Sequence, residues 1–175
     1  MKQNKYDDNV FFQKYSQMDR SVKGLEGAGE WKTLERLLPD FHDKHVLDLG
    51  CGFGWHCRYA AEHGAASVLG VDISAKMIAK ARSMGNEGII EYRCMPMEDI
   101  LLPEASFDIV LSSLAFHYTP DFQAVCRNVS RWLKPEGAFI FSVEHPVFTA
   151  QGTQDWHYDE SGQIMHLSLI HISEP

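Results

Sequence analysis

The stretch VLDLGCGFG, Val46 to Gly54, decides the reading of this chain. Val46, Leu47 and Leu49 have the composition of a buried strand, and Gly50, Gly52 and Gly54 then stand two apart before Trp55–His63, a run of helix composition that Gly64 stops. A strand-to-helix turn of this kind needs glycine, which tolerates positive φ and, lacking Cβ, lets a ligand lie against the backbone. An acid follows at a telling distance. VLGVDIS, Val68 to Ser74, ends its strand at Asp72, 18 residues after Gly54, where a carboxylate can accept both hydrogen bonds of a ribose diol. Turn and acid together point to a ligand that contains adenosine.

Working outward, strand and helix patterns alternate. On the N-terminal side, residues 8–18 (DNVFFQKYSQM) set Val10, Phe11, Phe12, Tyr15 and Met18 at helical spacing. Gly24, Gly27 and Gly29 punctuate the chain, and a second helix is predicted over Glu30–Leu38, ended by Pro39. The first strand is His45–Leu49 and the second Ser67–Val71; Ser74 caps a helix over Ala75–Ser83, and Ile89–Arg93 is a third strand. Phe107–Ser112 is a fourth strand, Phe122–Leu133 a helix stopped at Lys134-Pro135, and Ala138–Val143 a fifth strand. Repeated βαβ units require a parallel sheet with helices on both faces, an α/β fold.

Composition narrows the function. The 175 residues suit one domain, and 16 Lys+Arg against 24 Asp+Glu leave a net charge of −8 with no local basic cluster, which disfavours nucleic acid. No apolar run approaches the roughly 20 residues of a membrane helix. Asp7 and Asp8 stand where a signal peptide would be apolar, so a soluble, cytoplasmic protein is expected. Cys51, Cys57, Cys94 and Cys126 match no zinc spacing and are expected to be reduced and mostly buried. His42 with His45, or His56 beside Cys57, is a poor ligand set, and no metal is expected. The last nine residues, LSLIHISEP (167–175), resemble the translation of a transposase adapter used in sequencing libraries, so the natural chain is expected to stop near His166; a short final strand is the competing reading.

The glycine spacing separates two classes of adenosine ligand. Gly50, Gly52 and Gly54 form G-x-G-x-G, and Trp55 stands where a dinucleotide fingerprint would close with glycine. Asp48, two residues before the turn, would repel a pyrophosphate but suits a cationic amino group. With Asp72 and the later FDIV at Phe107–Val110, this D-x-G-x-G-x-G pattern resembles class I S-adenosylmethionine-dependent methyltransferases over about Tyr15 to His145. SSLAFHY (112–118) and LKPEGAF (133–139) are similar to the small-molecule subfamily that includes the ubiquinone and menaquinone biosynthesis enzymes.

That resemblance implies a Rossmann-like sheet in the order 3-2-1-4-5. It implies an N-terminal cover over 1–40, a cofactor domain over 41–145, and the start of a substrate-side loop over 146–166. Family members continue with a helix and two more strands, so the C-terminal strands are expected to be missing through truncation. By the same resemblance Asp48 lies by the methionine amino group, Gly50, Cys51 and Gly52 pass beneath the cofactor, and Asp72 holds the ribose. The acid that would bond the adenine amine falls on Pro96, so a backbone group or Glu98 substitutes, with Ile73, Met77 and Met97 flanking the ring. Ser113 and Leu114 face the sulfonium, while Tyr15 and Arg20 fold over the cofactor and contact its carboxylate. His117 and His145 follow the carboxyl ends of strands four and five and are candidates for a general base, ahead of Glu144 and Tyr118. SSLAF stands where adenine-methylating relatives carry a D/N/S-P-P-aromatic signature, which disfavours base methylation. The expected activity is methyl transfer from S-adenosylmethionine to a small acceptor. A non-catalytic cofactor-binding module and a nicotinamide-dependent oxidoreductase are the alternatives; the acceptor and the oligomeric state stay open.

Overall fold

Val46 and Leu47 are adjacent, point to opposite faces of one strand, and are both fully buried, so the sheet they belong to is covered on two sides. The computed structural model describes residues 4–85, 88–145, 156–158, 161 and 164–167. It divides into two units, Met1–Ser142 and Val143–Pro175.

The first unit holds five parallel strands, β1 (His45–Leu49), β2 (Ser67–Asp72), β3 (Ile90–Cys94), β4 (Phe107–Ser113) and β5 (Leu133–Ser142), in the order β3-β2-β1-β4-β5. Helices α4 (Trp55–Glu62) and α5 (Ala75–Ser83) cover one face. There Val46, Val68, Ile90 and Ile109 pack with Cys57, Ala60, Ile78 and Ala81. On the other face Leu47, Leu49, Val71 and Val110 meet Val125, Val129 and Trp132 of α6 (Phe122–Trp132). Burying each such aliphatic side chain contributes about 1.5–3 kcal/mol, which makes this double-sided core the main support of the sheet.

Local chemistry sets the helix ends. Asp8 accepts from the Phe11 amide at the start of α1 (Asn9–Ser16), Ser74 Oγ from that of Met77 in α5, and Asp121 from that of Ala124 in α6. The expected helix over 8–18 breaks, because Met18 is extended and opens a separate short helix, α2 (Asp19–Val22). The helix expected over 30–38 is the shorter α3 (Trp31–Glu35); the Leu37 and Leu38 amides tighten to three-residue bonds ahead of Pro39.

β5 also departs from expectation. Leu133 already pairs with Phe107, the chain then loops out through Glu136 at φ 67°, and pairing resumes at Ala138 opposite Ile109. Asp108 ties this end of the sheet together, accepting from the His45 amide at 2.9 Å and from Lys134 Nζ at 2.8 Å.

In the second unit β6 (Trp156–Tyr158) and β7 (Ile164–Leu167) pair antiparallel, a correction to the loop expected over 146–166. WHY carries two aromatic residues and IMHL opens on the β-branched Ile164, and the five residues between them, DESGQ, contain a Ser-Gly step, a hairpin composition. Residues 168–175, most of the adapter-like tail, lie outside the described residues. Among the described residues no helix is long and apolar enough to cross a membrane.

Candidate cofactor site

The glycine turn is held from below. The Gly50 and Cys51 amides both donate to Val71 O, at 2.8 and 3.0 Å, the Gly54 amide donates to Cys51 O at 2.8 Å, and the Gly52 amide donates to Asp72 Oδ2 at 2.9 Å. Four amides of the turn are thereby turned inward. Gly50 has φ +77°, and a Cβ there would stand 2.3 Å from Ala115 Cβ. Gly52 has φ +53° and no described atom within 4 Å of where a Cβ would sit, so the space above it is open. The turn is therefore a cradle closed underneath and free on top.

Two acids flank it. Asp72, at the end of β2, also accepts from the Ser74 amide at 2.8 Å; burial pushes its carboxyl above the usual range, against the pull of the two amides. Each carboxylate oxygen keeps acceptor capacity beyond its one amide. Asp48, 1% exposed, lies on the β1 face that α4 covers and accepts from Cys57 Sγ at 3.3 Å. Burial pushes it up to about 7, Cys57 pulls it down and Asp72 pushes it further up.

The N-terminal segment meets the carboxyl edge of the sheet. Asp7 accepts from Ser74 Oγ at 2.6 Å and from the Lys76 amide at 3.2 Å; partial burial raises its carboxyl, but these bonds outweigh it and hold the group low. Tyr6 shares a 3.2 Å hydroxyl contact with Tyr118 and stacks edge-on against Tyr15, which in turn meets Phe53. Burial raises both tyrosines; Tyr118 adds to the rise at Tyr6, while Arg20 opposes it at Tyr15.

Arg20 has a partner inside the chain that its expected role did not include. Its Nη2 holds both oxygens of Glu30, at 2.9 and 2.7 Å. Glu30 in turn accepts from Ser113 Oγ at 3.4 Å, and Ser113 meets Ser142 Oγ at 3.1 Å. Beside them Leu114 is held at φ 51° by a bond from its amide to Ser142 O, a strained geometry for a branched side chain.

The other expected residues divide by burial. Ile73, Met97 and Glu98 are half-buried, whereas Met77, at 2% exposure, is closed off within the first turn of α5. His117 is half-buried in a 3-10 turn, Phe116–Tyr118, its ring centroid 4.2 Å from that of Tyr118. His145 and Glu144 belong to the second unit. Of the cysteines only Cys51 and Cys57 are buried; Cys94 is exposed and Cys126 intermediate, because Cys94 ends an outer strand. Among the described residues no three His, Cys, Asp or Glu groups are set to hold a metal. Tyr6, Asp7, Glu30, Cys57 and Ser142 were not expected at the site from sequence, where nothing local ties them to it.

Comparison with known proteins agrees with this geometry. A methyltransferase domain family matches residues 47–141. An uncharacterised protein of Haemophilus influenzae is 35% identical over 176 residues, covering 97% of this chain and 69% of its own length. The ubiquinone biosynthesis O-methyltransferase of Neisseria meningitidis is 32% identical over 164 residues, covering 77% of this chain and 69% of its own. A solved S-adenosylmethionine-dependent methyltransferase from Mesorhizobium loti superposes with a TM-score of 0.74 at 45% identity, over 81% of this chain and 64% of that one. This chain thus spans less than two thirds of that solved relative. Sheet order, turn, paired acids and relatives agree: the chain belongs to the class I S-adenosylmethionine-dependent methyltransferase family.

Proposed function

We propose that the chain forms the cofactor-binding part of an S-adenosylmethionine-dependent methyltransferase acting on a small-molecule acceptor. The observation that carries this reading is the inward-turned glycine loop with Asp48 beneath it and Asp72 beside it. A pyrophosphate would find four amides of the turn engaged and two acids close to it. A ligand with a cationic amino group, a ribose and no phosphate fits the same residues.

In this reading Asp72 takes the ribose hydroxyls and Asp48, buried beneath the turn, supplies the negative charge that favours the amino group across it, while Gly52 leaves room for the ligand above. Ile73 and Met97 wall the adenine, with Met77 packed behind them, and Glu98 or loop backbone takes the adenine amine. Tyr15 and Arg20 close the methionine end, where Glu30 orients the guanidinium. Ser113 and Leu114 bound the reacting centre. When bound, S-adenosylmethionine supplies a methyl group on a sulfonium, which asks for in-line approach and no covalent nucleophile from the protein. The chain's own part is to position the acceptor, exclude water and take a proton; the position of His117 just past β4 supports it as the candidate for that last role, with His145 as the second candidate. The likeness to a ubiquinone biosynthesis O-methyltransferase supports an oxygen acceptor. The test is release of S-adenosylhomocysteine from a panel of phenols, amines and thiols. Release with one class supports the reading; tight cofactor binding with no release from any class would make this a binding module.

A further inference from the structure

Asp48 and Cys57 are both closed to solvent, at 1% and 0% exposure, and among the described residues the side-chain hydrogen bond that Asp48 receives is the 3.3 Å contact from Cys57. The thiol is not free to turn away. A Cβ on Gly70 of β2 would stand 2.8 Å from Cys57 Sγ and 3.0 Å from Cys51 Sγ, so glycine there makes the slot in which both sulfurs sit. The titratable groups facing Asp48 are Cys57 from α4, Cys51 from the turn, Asp72 from the end of β2 and Tyr92 from β3. None of these is a cation.

We propose that Cys57 is a positioning residue of the cofactor site: its thiol orients Asp48 and favours the ionised carboxylate, the form that receives a cationic amino group. This rests on the reading of the site as one for S-adenosylmethionine. Burial alone drives Asp48 towards its protonated form, and a protonated Asp48 must release its proton to solvent when the amino group binds. Cofactor affinity therefore falls below neutral pH, by about tenfold for each pH unit once Asp48 is protonated. Cys57→Ala deletes the donor, and Cys57→Ser keeps the size while providing a stronger one.

The test follows the Asp48 carboxyl carbon by NMR from pH 5 to 9 in the cofactor-free wild type and both variants. The same three proteins are titrated calorimetrically with S-adenosylmethionine across that range, in two buffers of different ionisation enthalpy. Cys57→Ala should move the Asp48 midpoint up by roughly one pH unit and Cys57→Ser should move it down, with affinity at pH 6.5 about tenfold weaker in the alanine variant. Proton release on binding should follow the same midpoints. An Asp48 midpoint that stays in place in folded Cys57→Ser overturns the inference, and this variant decides alone if Cys57→Ala fails to fold. A wild type that binds no S-adenosylmethionine at any pH contradicts the proposed function instead, while the carboxyl midpoints still decide the role of Cys57.

Discussion

Asp72 Oδ2 accepts the Gly52 amide at 2.9 Å, so the acid that ends β2 also holds the apex of the glycine turn. Asp72→Ala removes this support along with the two charge-assisted ribose bonds of the proposed reading, each worth about 1.5–3 kcal/mol. Calorimetry should show cofactor affinity weakened by at least about 10²-fold, together with a lower melting temperature. Unchanged affinity in a folded variant would remove the ribose assignment.

Gly50 and Gly52 should respond differently to alanine. At Gly50 the new methyl would collide with Ala115, 2.3 Å away, so Gly50→Ala should lose stability by about 2 kcal/mol or more. At Gly52 the methyl meets no described atom and only the positive φ opposes it, about 1 kcal/mol, so Gly52→Ala should fold and yet bind cofactor poorly. Thermal melts and titrations on both variants check this. Normal cofactor binding by Gly52→Ala would mean that the ligand lies elsewhere.

Asp48 makes stability depend on pH. Its carboxyl ionises near 3.8 when unfolded and near 7 when folded, so between those values the folded state holds a proton the unfolded state lacks. Its contribution to stability therefore falls as pH rises from about 4 to 7, at up to about 1.4 kcal/mol per unit. Asp48→Asn should remove this contribution, so that stability in urea denaturation rises more steeply with pH between about 4 and 7 than in the wild type, while cofactor binding weakens. A pH profile unchanged in the variant would assign the contribution to another group.

His56 acts over nearly the same window with the opposite sign. Its ring packs edge-on against Trp31, and burial lowers it to about 4, with Glu30 opposing and Arg20 adding to the fall. The unfolded chain takes a proton near 6.5 and the folded one does not, so stability is lost as pH drops from about 6.5 towards 4. His56→Gln should flatten this acid limb by roughly 1–2 kcal/mol in denaturation curves collected at pH 4.5 and 7. An acid limb of undiminished depth would count against His56 as its source.

With an oxygen acceptor in hand, His117→Ala should retain cofactor affinity and lower turnover by about 10²–10⁴-fold. His145→Ala, measured in parallel, assigns the proton to one histidine or the other. Normal turnover in both would limit the chain's contribution to positioning.

The segments read most closely from sequence are those whose ends are set locally. β1, over His45–Leu49, and α5, over Ala75–Ser83 behind its Ser74 cap, match their expectations residue for residue. The glycine turn and both acids were legible for the same reason: their meaning lies in spacing along one βαβ unit. β5 was misread at its start because its first pair, Leu133 with Phe107, depends on a strand 26 residues away across a loop-out that periodicity does not report. The partners of the site were hidden by distance as well. Asp7 and Ser74 are 67 residues apart, Glu30 and Ser113 83, and Tyr6 and Tyr118 112. Periodicity tells which face of an element a residue occupies but not which remote side chain it will meet. Cys57 read as ordinary core, and only the register of α4 over β1 sets its thiol against Asp48.

The inward-turned glycine loop and its two acids are proposed as a site for S-adenosylmethionine and not for a dinucleotide. Calorimetric titration of the 175-residue chain at pH 8, with S-adenosylmethionine, S-adenosylhomocysteine and NAD in parallel, tests it most directly. One site per chain is expected for the first two ligands, weakened in Asp72→Ala, and no heat from NAD. Saturable NAD binding with no response to S-adenosylmethionine would contradict it.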